Sequence, residues 1–494
     1  MLDNLILGFS TIATLPCTVA IIAGVIIGII CGALPGLSAS TTVALMVPFT
    51  FGMDPIVAIV LLISVYQGSE YGGSITSIAV GMPGNPSAAV TVIDGYELTK
   101  QGKPGLALMI SLIGSTFGGI AGAFVLFAFA EPLANVALSF GAPEYFSLAV
   151  FGLAIIASLA GDNLLKGFLV MFIGLFLSTI GLDGFTGEER YVFGVAKMMD
   201  GLGIIPCLIG LFAMATVFSE IENSMDSAIE RIKVTFEKPD MKVVFGLWKV
   251  YLHSSIIGSI VGVLPGAGAT IASFICYSEA RRVSKHKELF GKGSLEGVAA
   301  PECGNNAVVG ASLIPLLTLG IPSSATASVL VGALMLHNIQ PGPLLFQTNG
   351  DIVYGIFAGV VMSSVAQLVF GLIGIPVWVK VISAPKPILL AVITVLSVIG
   401  SYGFNNSIVD VWIMLGFGVL GYVLTKINFP VTPIVLGLVL GGMMEENYRR
   451  ALMVSGGDHS IFITHPISAG LLIVAALSLL SPLLYKKITK STTT

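Results

Sequence analysis

Apolar runs long enough to cross a bilayer, about twenty residues each, recur from one end of this chain to the other. Among them are Thr18–Leu34, Leu106–Phe129, Phe146–Leu159, Leu164–Leu182, Leu202–Phe218, Val353–Val379 and Ala469–Tyr485. Such a run must be helical in lipid, because its backbone groups find no other partner there. Of the 494 residues, 55% are hydrophobic and only 10% charged, where a soluble chain carries about 25% charged residues. Mean hydropathy is +0.97. These features exclude a soluble globular domain. They predict an all-α polytopic membrane protein of about 11–14 membrane segments, re-entrant ones included.

Several function classes fall away at once. The five cysteines (Cys17, Cys31, Cys207, Cys276 and Cys303) form no CxxC pair and sit mostly in apolar runs, as small hydrophobic residues do. The five histidines lack ligand spacing, so no metal centre is expected beyond a coupling sodium ion. No basic nucleic-acid patch appears, and no GxxxxGK[ST] loop marks an ATPase. The opening MLDNLILGFS carries neither Lys nor Arg and no small-residue cleavage pattern, so no cleaved signal peptide is expected.

Two apolar runs are broken where a helix should continue. GALPGLSAS spans Gly32–Ser40, and GVLPGAGAT spans Gly262–Thr270, at an offset of 230 residues. Further on, GMPGNPSAA from Gly81 matches GIPSSATAS from Gly320 at an offset of 239. The difference fits the polar insertion Arg281–Gly297. Two motifs in the same order at nearly the same spacing indicate an internal repeat. It divides the chain into residues 1–219, with motifs at 32–42 and 81–87, a cytoplasmic amphipathic linker 220–249, and residues 250–494, with motifs at 262–273 and 302–328.

Charge predicts opposite orientations for the copies. The loop after the first motif of copy two holds Arg281, Arg282, Lys285, Lys287 and Lys292, and its counterpart near Asp54 holds no basic residue. After the second motif the bias reverses, with Lys100 and Lys103 in copy one and none in His337–Asp351. Positive loops stay cytoplasmic, and an inverted repeat is a signature of secondary transporters. Lys249, Lys426, the stretch Lys380–Lys386, linker residues Arg231, Lys233 and Lys238, and the tail from Lys486 are then cytoplasmic. The N-terminus falls outside and the C-terminus inside. Arg190, Lys197, Arg449 and Arg450 fall outside, against the positive-inside trend.

Each break offers backbone donors and a helix N-terminus, both attractive to an anion. Hydroxylated or small residues follow each one. The candidate substrate residues are Pro35, Gly36, Ser38, Ser40, Thr41, Asn85, Ser87, Pro265, Gly266, Gly268, Thr270, Asn305, Asn306, Ser323, Ser324 and Thr326. Small residues also serve close helix packing, which explains any one of them singly. Glu70 and Glu302 lie in apolar surroundings, where an ionisable group is costly and usually functional. With Asn306 they are the ion-coupling candidates, and sodium and a proton both fit them. No Lys or Arg lies in any of the four motifs.

The paired GALPGLSAS and GVLPGAGAT segments, and the block from Glu302 to Phe346 beginning ECGNNAVVGASLIPLL, resemble the large membrane subunit of the tripartite tricarboxylate transporters. The likeness covers essentially the whole chain. It implies the bacterial inner membrane, a small integral membrane subunit, a periplasmic solute-binding protein, and sodium-driven uptake of a di- or tricarboxylate without ATP. Matched by position, the family's site comprises Pro35–Gly36, Pro265–Gly266, Gly81–Ser87, Asn305–Asn306 and Gly320–Thr326. By analogy, alternating access would be elevator-like or rocking. An anion channel and a stand-alone carboxylate carrier are the alternatives. An enzyme would need a nucleophile–base pair or a metal cluster in the spans, and the sequence offers neither at useful spacing.

Overall fold

The computed structural model describes residues 2–34, 36–159, 164–223, 241–381 and 386–491. Pro35 and linker residues Arg231, Lys233 and Lys238 lie outside these. So do the side chains of Lys380 and Lys386 and of the tail from Lys486. Among the described residues the only strands are Gly181–Leu182 and Glu189–Arg190, paired antiparallel. The rest of the regular structure is helical. Among the described residues, six helices are long and apolar enough to cross a membrane, and five shorter apolar helices accompany them. The protein is an all-α, multi-pass membrane protein.

The first half contains α1 (Leu2–Ile12), α2 (Leu15–Gly32), α3 (Ala39–Met46), α4 (Pro55–Val80), α5 (Thr91–Lys100) and α6 (Pro104–Ala137). Then come α7 (Ala142–Leu159), α8 (Leu164–Ser178), α9 (Ile204–Leu208), a π-helical turn at Ile209–Met214, and α10 (Ala215–Asn223). The second half runs through α11 (Met241–Gly246), α12 (Trp248–Val263), α13 (Gly268–Val283), α14 (Leu295–Leu319), α15 (Ala325–Leu336), α16 (Leu345–Thr348) and α17 (Gly350–Val381). Finally α18 (Lys386–Asn405), α19 (Ile408–Lys426), α20 (Thr432–Val454), α21 (Ile461–Thr464) and α22 (Pro466–Ser491) complete the chain.

Glycine seams set the packing. Without a hydrophobic drive between helices in lipid, close backbone approach supplies the attraction. A Cβ on Gly24, Gly28 or Gly32 of α2 would collide with the backbone of Leu61, Val65 or Ser69 of α4. Gly118 and Gly122 of α6 meet Cys303 and Ala307 of α14 in the same way, and Gly258 of α12 meets Gly304. These pairings advance together, so α2 runs parallel to α4, α12 to α14, and α6 to α14. The short helices α3 and α13 must then carry the chain back to the side from which α2 and α12 set out. Both are hairpins that enter and leave on one side.

Serine pairs give the remaining directions. Ser74 of α4 meets Ser111 of α6 at 2.5 Å, and Gln67 lies against Gly119, so α4 and α6 are antiparallel. Ser64 meets Ser363 of α17 at 2.7 Å, with Val60 against Gly359, so α4 and α17 are parallel. Helix α14 therefore opposes α4, α12 opposes α2, and α17 opposes α6.

One end of the bundle collects Lys100, Lys103, Arg281, Arg282 and Lys292, and Gln101 Nε2 donates to the Lys292 carbonyl there at 2.7 Å. Asp94 of α5 fastens this end. Its Oδ1 accepts from the backbone N–H of Gly291, Gly293 and Ser294 at 2.8, 2.9 and 2.8 Å, and the Tyr277 hydroxyl donates to Oδ2 at 2.9 Å. The opposite end holds Arg190, Arg449 and Arg450, each with a carboxylate partner. Arg190 pairs with Glu445 at 2.8 Å, Arg449 with Asp183 at 2.9 Å, and Arg450 with Glu446 at 2.5 Å. Glu279 pairs with exposed Arg282 at 2.8 Å.

Candidate substrate and ion site

Both second breaks begin with a glycine in the left-handed region, Gly81 at φ 71° and Gly320 at φ 72°, a conformation costly for residues with a Cβ. In the first half the chain then folds back onto α4, where the Gly84 N–H donates to the Gly73 carbonyl at 3.2 Å. A Cβ on Gly84 would strike the Gly32 carbonyl, so the first and second breaks of this half touch. The second half brings its breaks together differently. The Gly266 N–H donates to the Ser323 carbonyl at 2.8 Å.

The first-half breaks open on a cavity of about 460 Å³. Gly36, Ser38, Thr41, Gly84 and Asn85 line one wall, and Thr216, Ser219, Glu220 and Thr425 line another. Ser38 caps α3 by accepting from the Thr41 N–H at 3.1 Å, and its Oγ lies 2.8 Å from the hydroxyls of both Ser40 and Thr41. Phe212, in the π-helical turn, takes two hydroxyls on its carbonyl, Thr41 at 3.3 Å and Thr216 at 2.6 Å. Such turns often mark functional positions. The missing Cβ of Gly36 leaves room for the Glu220 carboxylate, whose Oε1 is 2.8 Å from where that Cβ would stand. Among the described residues no Lys or Arg lines the cavity. A cavity of similar size between α1, α6 and α17 is walled by Leu5, Phe9, Phe124, Phe127 and Phe357 and is mostly apolar.

Asn85 and Ser87 are already engaged. Asn85 Nδ2 donates to the Ser69 carbonyl at 2.9 Å, and its Oδ1 accepts from the Ala88 N–H at 2.9 Å. The single Ser87 proton faces two acceptors, Glu70 Oε2 at 2.5 Å and Asn85 Oδ1 at 2.9 Å. It serves Asn85 only if the Glu70 carboxyl carries its own proton and donates to Ser87. Asn85 therefore shapes the cavity wall and holds the chain reversal, and its amide has little left to offer a ligand.

The second-half candidates form a more closed group. Ser324 caps α15, accepting from the Ala327 N–H at 3.1 Å, and Ser323 Oγ reaches the Ser312 carbonyl at 3.5 Å. A Cβ on Gly268 would stand 3.5 Å from that of Ser324. Ser324 and Thr326 face the Tyr66 hydroxyl of α4, with Ser312 beside them. Pro265 is buried and Thr270 half-buried. Asn306 Nδ2 donates to Asn305 Oδ1 at 2.7 Å, which leaves Asn305 Nδ2 and Asn306 Oδ1 buried without a partner. Gln67 has both amide atoms in the same condition. Helix α3 packs on α15, and α13 on the turn Pro86–Ala88, so the four breaks lie in one region.

Glu302 is fully buried and held by the other half. Thr91 Oγ1 is 2.5 Å from Oε1, with Ser115 at 3.3 Å and Ser111 at 3.4 Å from Oε2. Sequence reasoning missed Thr91, Ser111 and Ser115, and also Thr216, Ser219, Glu220 and Thr425. Only Glu220, an acid closing an apolar run, carried a local signal. Among the described residues no group of three His, Cys, Asp or Glu side chains could hold a metal ion.

Residues 19–436 match the tripartite tricarboxylate transporter TctA family. The chain belongs to that family. It is 39% identical over 477 residues to an uncharacterised 52.8 kDa protein of Agrobacterium vitis, named for its position 3′ of ttuC′ in the TAR-I region; the alignment covers 96% of this chain and 94% of that protein. An uncharacterised protein from the TAR-II ttuC′ 3′ region of the same organism is 42% identical over 215 residues, 44% of this chain and 89% of its own. No solved structure matches the chain. This TctA-family protein is thus a membrane component of a tripartite transporter class.

Proposed function

We propose that this TctA-family chain is the large subunit of a tripartite carboxylate transporter in the bacterial inner membrane. It takes a di- or tricarboxylate from a periplasmic solute-binding protein and works beside a small integral membrane subunit. A cation gradient, sodium or proton, drives uptake. The N-terminus is periplasmic and the C-terminus cytoplasmic, with the end bearing Lys100, Arg281 and Lys292 inside.

The observation that carries this reading is the cavity at the first-half breaks, lined by Gly36, Ser38, Thr41, Asn85, Thr216 and Thr425. Its donors are hydroxyls and the N-terminal end of α3, which suit an anion held moderately and then released. Opposed directions of α4 and α14, and of α2 and α12, support two inverted copies. Alternating access then follows if the halves exchange their open and tied arrangements by an elevator-like displacement or by rocking.

Uptake by cells carrying the whole transporter tests this. Uptake that saturates with carboxylate and stops when the cation gradient is collapsed is expected. Non-saturating flux independent of the gradient would replace the carrier with a channel.

A further inference from the structure

The hydroxyls around Glu302 raise a problem of proton supply. Ser74 Oγ donates to the Tyr71 carbonyl at 2.8 Å. With that proton so placed, the 2.5 Å contact between Ser74 and Ser111, which either hydroxyl can donate, uses the Ser111 proton. In that arrangement Ser111 turns a lone pair toward Glu302 Oε2 at 3.4 Å; in the other it donates to that oxygen across a distance well beyond a normal hydroxyl hydrogen bond. Ser115 stands 3.3 Å from the same oxygen, well beyond the usual 2.7–2.8 Å of a hydroxyl hydrogen bond. Beside them the Tyr71 hydroxyl and Asn305 Nδ2 are buried with no partner. All of these residues are excluded from solvent, and no basic side chain pairs with Glu302 among the described residues.

We propose that Glu302, Ser111, Ser115 and Thr91 form a seat for one sodium ion at the junction of α14 with α5 and α6. An ion of about the radius of calcium, which sodium shares, holds oxygens about 2.3–2.6 Å away, and neighbouring oxygens of its octahedron then lie about 3.3–3.7 Å apart. The separations of Glu302 Oε2 from Ser111 and Ser115 fall in that range. One carboxylate calls for a single positive charge. Glu70 makes no second claim, since Ser87 already meets its carboxyl at 2.5 Å within its own half. The site joins the two halves, because Glu302 belongs to one and all three hydroxyls to the other. It deepens the cation-coupled reading given above and names the ion and where it sits.

The test is sodium binding by the purified chain in detergent, with sodium chloride exchanged against choline chloride at constant ionic strength. Sodium should raise the melting temperature in a saturable way. Ser115→Ala and Thr91→Val should each weaken sodium affinity by about tenfold, the size of one lost oxygen contact, with melting in choline little changed. Should Ser115→Ala fail to fold, Thr91→Val, on a different helix, gives the same reading. Wild-type protein that melts alike in both salts, or variants with unaltered sodium affinity, would overturn the site. Cellular uptake separates this from the coupling itself. Sodium-independent uptake with intact sodium binding sinks the coupling and keeps the seat. Sodium-dependent uptake with unaltered affinity in both variants keeps the coupling and sinks the seat.

Discussion

The two halves carry the same motifs in the same order, yet their breaks are arranged differently. In the first half Gly36, Ser38 and Asn85 face a cavity. In the second, Gly266 is hydrogen-bonded to Ser323, and Ser324 lies within a Cβ contact of Gly268. The difference teaches that sequence symmetry fixes the local break, whereas the partner across the break decides whether it is open. The carboxyls differ in the same way. Glu70 is satisfied inside its own half by Ser87, and Glu302 takes its hydroxyl partners from the other.

The largest expected effect comes from forcing the tied half to stay tied. Because the two Cβ positions fall within disulfide range of about 3.5–4.5 Å, oxidising a Gly268→Cys, Ser324→Cys double variant should arrest uptake completely. Reductant should restore it. Full uptake in the oxidised protein would mean the second-half breaks never part. Next in size is the contrast between carboxyls. Glu302→Gln should cost about a hundredfold in uptake, as expected for removing a buried charged partner. Glu70→Gln keeps a side chain that can hydrogen-bond Ser87 and should stay within about threefold. The reverse ranking would exchange their roles.

A smaller effect separates the caps. Ser38→Ala and Ser324→Ala each remove an N-cap worth about 1 kcal/mol. Only Ser38→Ala should also raise the apparent KM, by about fivefold, because only Ser38 lines the cavity; equal KM values would erase the distinction. The smallest effect lies away from both break pairs. Backbone N–H groups of Thr186 and Phe185, and then Arg449, hold the Asp183 carboxyl below its usual range. A depressed carboxyl stabilises the fold above its unfolded value near pH 4 and loses that contribution as pH falls. Asp183→Asn should lower melting by a few degrees at neutral pH and flatten its decline toward acid. Parallel melting curves would show that the network contributes nothing.

The breaks were legible because Pro and Gly inside an apolar run are local signals. Gly81 and Gly320 indeed end their helices in the left-handed conformation. The cage at Glu302 was hidden, since its hydroxyls lie 187, 191 and 211 residues away in sequence. Ser111 and Ser115 read there as ordinary packing residues of an apolar helix. The amides misled in another way. Asn305 and Asn306 looked like two ligands, but one is partly consumed by the other. Cavity residues Thr216 and Thr425 come from helices outside both motif sets, and no spacing rule connects them to Gly36.

The seam between α6 and α14 also bears on the order of synthesis. Helix α6 is complete long before α14 begins, on the order of ten seconds or more at about 5–20 residues per second. Throughout that interval the Gly118–Gly122 strip has only lipid or a caretaker against it. Whatever shields newly inserted helices from degradation must cover that strip until α14 arrives.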